Sequence, residues 1–245
     1  MTSRQIIIIL LTVILAVLLY FAPKIASEKT QKPDEKQPDF TAQFEQAKKK
    51  AAPEQKYIFD RLEEGVKKTQ TENNESAWFK LANDYLKAAR FFPDDKRVVL
   101  YQGAINGFEK VLSFNPNNLT AKTNLGTSIV ESSSLLGNQP MKGITILREV
   151  IQQDSVNIEA NLQLGLFSLT SQQFDKAIER FKRILRIDST RIDMHVYMGD
   201  TYMTMGEKQK AIESYENYKN RVKDTLIIKD INEYIKKLKQ PDVRQ

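Results

Sequence analysis

The sequence predicts an all-α fold of stacked helix–turn–helix units, preceded by a transmembrane helix. Two observations carry this prediction: an internal repeat, in which small and large apolar residues return 34 positions later, and an uncharged run near the N-terminus. The repeated pairs are Gly165 and Gly199, Ala177 and Ala211, Ile178 and Ile212, and Phe181 and Tyr215. A fixed period of this length is typical of helical solenoids, which present extended surfaces to other chains.

The predicted membrane anchor spans residues 1–22. Residues 6–22 are seventeen positions without a charge, and as a helix they extend about 26 Å, at the short end of what crosses a bilayer. The alternative, a cleaved signal peptide, needs small residues at alternate positions before the cut. Tyr20 stands two positions before Ala22, and Lys24 two before Ala26, so we expect a retained single-pass helix.

A linker and a helical lead-in follow the anchor. Residues 23–39 contain three prolines and one large apolar residue, which predicts a flexible linker, because little apolar burial offsets the entropy of ordering. In residues 40–74 apolar residues stand four apart, as Phe40 and Phe44 do, which indicates amphipathic helices. We expect a helical pair or one kinked helix docked on the first repeat; a self-inhibiting segment in the groove is the alternative.

The first repeat carries a motif that resembles the tetratricopeptide repeat. The residues in this pattern are Trp78, Leu81, Ala82, Tyr85, Ala104, Phe108 and Pro116. Small residues such as Gly126 and Gly199 are expected to let the two helices of a repeat approach closely. Aligned on the motif, four repeats and a cap follow. The predicted bounds are 75–118, 119–157, 158–191 and 192–225 for the repeats, 226–239 for a capping helix and 240–245 for the tail.

The resemblance implies a concave groove lined by the first helix of each repeat. Carried onto this chain, the candidate partner-binding residues are Phe79, Asn83, Lys87, Thr123, Thr127, Leu162, Leu166, Leu169, Val196, Asp200 and Met203. The carboxylate clamp of co-chaperone members is incomplete, because Phe79 replaces the first lysine and Glu159 stands where a later basic residue belongs. We therefore do not expect binding of cytosolic heat-shock protein tails.

The first helix of the third repeat is apolar nearly all round. Such a helix is either buried on every side or exposes a stripe that a partner can cover. We hypothesise that apolar groove residues contact an apolar segment of a partner protein. These residues are Leu162, Leu166, Leu169, Val196 and Met203. The open alternative is coverage by the chain's own terminal helix or by residues 40–70.

The composition argues against catalysis and cofactor binding. The chain has no cysteine and a single histidine, His195, so zinc sites and Ser–His or Cys–His nucleophiles cannot be assembled. His195 falls at the repeat position of Trp78, which indicates packing. The net charge of +6 is spread over interleaved acids and bases, which is typical of solvated helix faces. We expect no enzyme activity, catalytic residue, cofactor, metal, nucleic acid or small-molecule substrate.

The predicted function is that of a membrane-tethered scaffold or chaperone-like adaptor that holds a partner polypeptide in the groove. The alternatives are a dedicated assembly factor for an envelope complex, for example in cytochrome c maturation, and a structural subunit with a self-filled groove. Lysines after the anchor, such as Lys24 and Lys29, favour cytoplasmic repeats. The architecture resembles membrane-anchored bacterial, Bacteroidetes-like repeat proteins, which implies an inner-membrane anchor with the repeats in the periplasm. Both orientations stay open.

Overall fold

The computed structural model describes residues 39–93, 95–137 and 139–240, which fold into helices joined by short turns. Within these ranges there are eleven helices and no strand. In chain order they are α1 Phe40–Lys50, α2 Pro53–Glu72, α3 Glu75–Phe91, α4 Lys96–Phe114, α5 Leu119–Leu136, α6 Pro140–Gln153, α7 Ile158–Thr170, α8 Phe174–Ile187, α9 Asp193–Thr204, α10 Lys208–Lys219 and α11 Thr225–Lys239. The predicted all-α fold class is confirmed.

The predicted anchor at residues 1–22 lies outside the described residues, as do most of the linker and the end of the tail. Among the helices that the structure describes, none combines the length and the apolarity required to cross a bilayer. The longest, α2, has 20 residues, but glutamates and lysines recur along it. The membrane anchor therefore stays a prediction from the sequence.

Asparagine and aspartate side chains fix where several helices begin. Asn74 accepts a hydrogen bond from the backbone N–H of Ala77 at 2.9 Å, and Asn118 accepts one from Ala121 at 2.9 Å. Asp224 caps α11 in the same way. Such caps satisfy the first amide groups of a helix, which have no partner within the helix itself. They set the starts of α3, α5 and α11.

The chain divides into two compact units, and the division falls after Ala160, inside α7. The N-terminal unit holds α1–α6 and the first residues of α7, and the C-terminal unit holds the rest of α7 and α8–α11. Within the units α3 packs on α4, α5 on α6 and α9 on α10. These are helix–turn–helix pairs of the kind that the repeat period predicts, while the repeat bounds themselves stay predictions.

Aromatic rings fill the core of the N-terminal unit. Phe59 and Phe108 are fully buried. The ring of Phe44, in α1, lies 5.3 Å from that of Phe59 and 6.0 Å from that of Tyr85, between ring centroids. α1 packs against α4 and α2 packs against α3. The lead-in is thus a helical pair docked on the next pair, and the contacts of α1 with α4, a second helix, do not support a segment lying in the groove.

Small residues bring paired helices close together in both units. A Cβ atom added to Gly143 in α6 would lie 2.6 Å from the backbone oxygen of Gly126 in α5. One added to Gly199 in α9 would lie 2.5 Å from the ring of Tyr215 in α10. Neither place has room for a side chain, because close-packed interiors leave few voids. The predicted role of Gly126 and Gly199 in helix approach is confirmed.

The last helix, α11, packs on α10 in the C-terminal unit. Ile235 is buried in a cluster with Ala211, Ile212 and Tyr215 of α10. The amino group of Lys239 lies 2.9 Å from a carboxylate oxygen of Glu216 at the edge of this contact. Ile235 therefore closes the apolar end of the unit, as a terminal helix of a solenoid must.

Candidate protein-binding surface

The predicted groove residues divide between the two units. The N-terminal unit holds Phe79, Asn83 and Lys87 on α3 and Thr123 and Thr127 on α5. The C-terminal unit holds Leu162, Leu166 and Leu169 on α7 and Val196, Asp200 and Met203 on α9. The first helices therefore carry all of these residues, and the two groups are described separately.

Two threonines of the N-terminal unit do not present the surface that the sequence predicted for them. Thr123 is 3% exposed and Thr127 is 0% exposed. The hydroxyl of Thr123 donates a hydrogen bond to the backbone oxygen of Leu119, one turn earlier, at 2.8 Å. A threonine that bonds its own helix in this way can be buried without a polar partner elsewhere. Neither side chain offers area to a partner in this structure.

The asparagines of the N-terminal unit bond to each other. Asn124 donates from its amide nitrogen to the side-chain oxygen of Asn83 at 3.0 Å. Asn83 in turn donates to the backbone oxygen of Phe79 at 2.8 Å. Lys87, one turn further along α3, is exposed. The amides at the positions that resemble a carboxylate clamp are therefore engaged within the unit, and Lys87 is the accessible polar group among the predicted residues.

An ion-pair network that the sequence reading missed centres on Arg90, at the end of α3. Its guanidinium donates to both carboxylate oxygens of Glu131 on α5, at 2.8 and 3.0 Å, and to Glu159 at 3.1 Å. The hydroxyl of Tyr101 also donates to Glu131, at 3.1 Å. Burial of Arg90 opposes its charge, but the two carboxylates outweigh this and raise its pKa. Burial and Glu131 raise the pKa of Tyr101 to about 12.

The α7 part of the C-terminal unit carries a stripe of partly exposed leucines. Leu162, Leu166 and Leu169 are all half-buried, and their spacing of four and three residues places them along one face of the helix. Leu164, between them in sequence, is buried. The helix is therefore not covered on every side within its unit, and its residual apolar surface follows the predicted groove positions.

On α9 the predicted apolar residues are partly covered. Val196 and Met203 are half-buried and pack against the cluster that contains Ile235 of α11. The terminal helix contributes Ile235 to the cluster on which these two residues pack, so they keep less free surface than their repeat positions suggest. Coverage of α7 by that helix, the sequence-based alternative, stays a prediction.

Asp200 is part of an internal polar pair. Its carboxylate accepts a hydrogen bond from the hydroxyl of Tyr215 at 2.6 Å, and its other oxygen is buried without a partner among the described residues. Burial raises the pKa of Asp200, and the bond from Tyr215 opposes that shift. The ring of Tyr215 lies 5.3 Å from that of Tyr234 on α11. Asp200 therefore ties α9 to the same cluster as its neighbours.

Comparison with known proteins identifies the repeat. A tetratricopeptide-repeat family model matches residues 192–218, which cover α9 and nearly all of α10. The structure of MamA (41-end) from Desulfovibrio magneticus RS-1 is 16% identical, spans 75% of this chain and 95% of its own, and gives a TM-score of 0.54. The MamA RS-1 ArsTM double mutant is 17% identical, spans 74% and 92%, and gives 0.52. These likenesses show the fold. The chain therefore contains a tetratricopeptide repeat at residues 192–218.

No curated protein matches the chain in sequence. The segment matched by the tetratricopeptide model contains Val196, Asp200 and Met203, so these three residues lie in the repeat that is identified independently. His195, in the same segment, is buried. Within the described ranges, no group of three or more acidic, histidine or cysteine side chains is placed to hold a metal ion. The expectation that the chain is not an enzyme stays a prediction.

Proposed function

We propose that the chain is a protein-interaction scaffold whose C-terminal unit binds an apolar segment of a partner polypeptide. The observation that carries the proposal is the stripe of Leu162, Leu166 and Leu169, which stays partly exposed on a first helix of a tetratricopeptide fold. Covering the remaining surface of each leucine is worth less than about 1 kcal/mol, since each is already mostly buried and full burial of such a side chain is worth about 2. A partner side chain that fits the stripe supplies this burial.

The polar groups of α9, the other first helix of this unit, favour an extended or helical polypeptide over a small molecule. Asp200 is bonded to Tyr215, so this carboxylate is already engaged within the unit and does not fix the orientation of a compact ligand. A chain segment, in contrast, gains from a row of apolar contacts spaced along a helix. The partner expected here is therefore a polypeptide with apolar side chains at regular spacing.

A test replaces one leucine of the stripe with a charge. In full-length protein with a photo-reactive amino acid at position 169, Leu166→Glu should abolish the crosslinked adducts seen in cells and leave the helical circular dichroism unchanged. Leu226→Glu is the matched control, because Leu226 is 55% exposed on α11, away from the stripe. Loss of adducts in both variants, or loss of fold in Leu166→Glu, would contradict the proposal.

The tether is the second part of the proposal. The uncharged residues 6–22 support an inner-membrane anchor, and we propose that the repeats lie in the periplasm of a bacterial cell. Since the chain has no cysteine, Thr30→Cys supplies a single thiol. Labelling by a membrane-impermeant maleimide in cells with a permeabilised outer membrane supports a periplasmic domain. Protection until the inner membrane is lysed means that the repeats are cytoplasmic.

Two roles remain within the scaffold class, besides a self-filled structural subunit. A chaperone-like adaptor should give many crosslinked species at position 169, and a dedicated assembly factor should give one. The self-filled alternative is favoured at one place, where Val196 and Met203 pack on the cluster of Ile235. If removal of α11 leaves the adducts at position 169 unchanged, α11 does not compete with the partner for the leucine stripe.

A further inference from the structure

A cavity of about 490 Å³ lies among α8, α9 and α10 of the C-terminal unit. From α9 it is lined by His195, Met198 and Tyr202, whereas the groove positions of the same helix include Val196 and Met203. With 3.6 residues per turn, these two sets are centred about 130° apart around the helix. The cavity therefore belongs to a different face of the unit from the proposed protein-binding surface.

Unpaired cations line the cavity. Lys182 and Arg186 stand one turn apart on α8, and neither forms an ion pair with another residue that the structure describes. Lys210, on α10, is already paired with Glu207. The acid in the lining is Glu213, also on α10. The unpaired groups thus leave an excess of one positive charge, which makes the cavity attractive to an anion.

A smaller hollow of about 270 Å³ shares Lys182 and Lys210 with this cavity. Its lining also contains three acids, which are Asp175, Glu179 and Glu207. These acids offset the shared lysines on that side. Arg186 and His195 line only the larger cavity. An anion is therefore best accommodated in the larger cavity, whose lining includes Arg186 and His195.

His195 lines the cavity without a hydrogen-bond partner among the described residues. Its side chain is 8% exposed, and neither ring nitrogen is bonded to any group in the described part of the chain. Buried polar groups ordinarily have such a partner. Burial, together with the charge of Arg221, lowers the pKa of His195, so the imidazole is neutral at pH 7 and carries one N–H donor. An oxygen of a ligand would satisfy that donor.

We propose that this cavity binds a small organic carboxylate with an apolar body. The carboxylate matches the single excess charge and can accept two parallel hydrogen bonds from the guanidinium of Arg186. His195 donates the additional hydrogen bond. Leu185 and Met198 supply apolar lining for the body of the ligand, which a volume of about 490 Å³ accommodates.

The only histidine of the chain reports directly on the site. In the full-length protein labelled with ¹³C-histidine, titration with 3-phenylpropionate should shift the imidazole signals of His195 to saturation. The neutral analogue 3-phenylpropionamide should produce no saturable shift, because it lacks the charge. Equal shifts with both compounds, or a shift with the acid that never saturates, would overturn the proposal.

A pair of arginine variants separates the site from general charge effects. Arg186→Gln should weaken binding of 3-phenylpropionate at least about tenfold, since a hydrogen bond to a charged group contributes that much. Arg183→Gln removes the same charge from α8 outside the cavity and should leave the affinity unchanged. Circular dichroism checks both folds, and Lys182→Gln replaces Arg186→Gln if that variant does not fold. Equal affinities in all variants, or equal losses, would overturn the proposal.

Discussion

The first helices of the two units differ in the side chains that they carry at the predicted groove positions and near them. In the N-terminal unit their polar side chains bond to each other, as Asn83 does to Asn124 and Arg90 to Glu131. In the C-terminal unit α7 carries a leucine stripe that its own unit leaves partly exposed. A surface whose hydrogen bonds are already made gains little from a partner, whereas an exposed apolar stripe gains by being covered. The contrast supports the proposal that the C-terminal unit is the one that binds a partner.

Each unit contains a unique reporter. The single tryptophan, Trp78, lies in the N-terminal unit, and the single histidine, His195, lies in the C-terminal unit. Fluorescence of Trp78 and imidazole signals of His195 therefore follow the two units separately. The predictions below use these reporters, from the largest expected effect to the smallest.

Phe108→Ala should lower the free energy of unfolding of the N-terminal unit by about 3–5 kcal/mol, because it deletes a fully buried ring and leaves a cavity. Urea unfolding followed by Trp78 fluorescence measures this loss. Phe91→Ala is the control, since Phe91 is 61% exposed, and its effect should stay within about 0.5 kcal/mol. Equal effects of the two variants would mean that the aromatic core does not hold this unit together.

Gly199→Ala should destabilise the C-terminal unit by about 1–3 kcal/mol, because the new Cβ overlaps the ring of Tyr215 and overpacks the pair α9–α10. The loss should appear in the unfolding transition of the His195 signals and leave that of Trp78 nearly unchanged. Gly206→Asn is the control. Gly206 has a φ of 77° in open surroundings, a conformation that asparagine tolerates.

Asp200→Asn should change how stability depends on pH. Burial raises the pKa of Asp200 in the folded state above its unfolded value, so the folded state holds more protons and the free energy of unfolding falls as pH rises through that range. The variant should lose this fall, which begins as pH rises above about 4, the ordinary pKa of the carboxyl group. Urea midpoints across this range test it, with Asp175→Asn, at an exposed site of α8, keeping the wild-type slope.

Arg90→Gln should cost the N-terminal unit about 1 kcal/mol or less, because Arg90 is part-exposed and its ion pairs are screened by solvent. The cost should shrink when salt is added. Trp78 fluorescence at low and high salt measures both effects. Lys87→Gln, at an exposed position of the same helix, should be neutral at either salt concentration. A salt-independent loss in Arg90→Gln would point to packing and not to charge.

The sequence was sufficient to predict the helix pairs and the close contacts between the helices of each pair. A period of 34 residues and small residues such as Gly199 depend on packing inside one repeat, which the motif encodes. Whether a predicted surface position is exposed or buried depends on neighbouring residues that the motif does not encode. Thr123 and Thr127 are buried, although their repeat positions predicted a groove surface. Arg90 was missed because α3 extends beyond the standard repeat length.

The terminal helix α11 shows the same limit of the sequence pattern, which predicts a helix but not the exposure of the residues near it. The apolar spacing in residues 226–239 predicted a capping helix, and α11 forms over Thr225–Lys239. Its effect on the groove could not be derived, because the pattern says that α11 has an apolar face but not which residues of α9 share its cluster. Val196 and Met203 share it. Their accessibility is set by a contact between repeats.

The side chains of α11 divide into an apolar face on α10 and a charged outer surface. α11 packs on α10 through Ile235, as the first helix of another repeat would, while Lys229, Glu233 and Lys236 are exposed on the rest of the helix. A charged face of this kind offers no apolar surface on which a further helix pair could pack. A few substitutions on this face would therefore decide whether α11 can bury apolar surface on both of its sides.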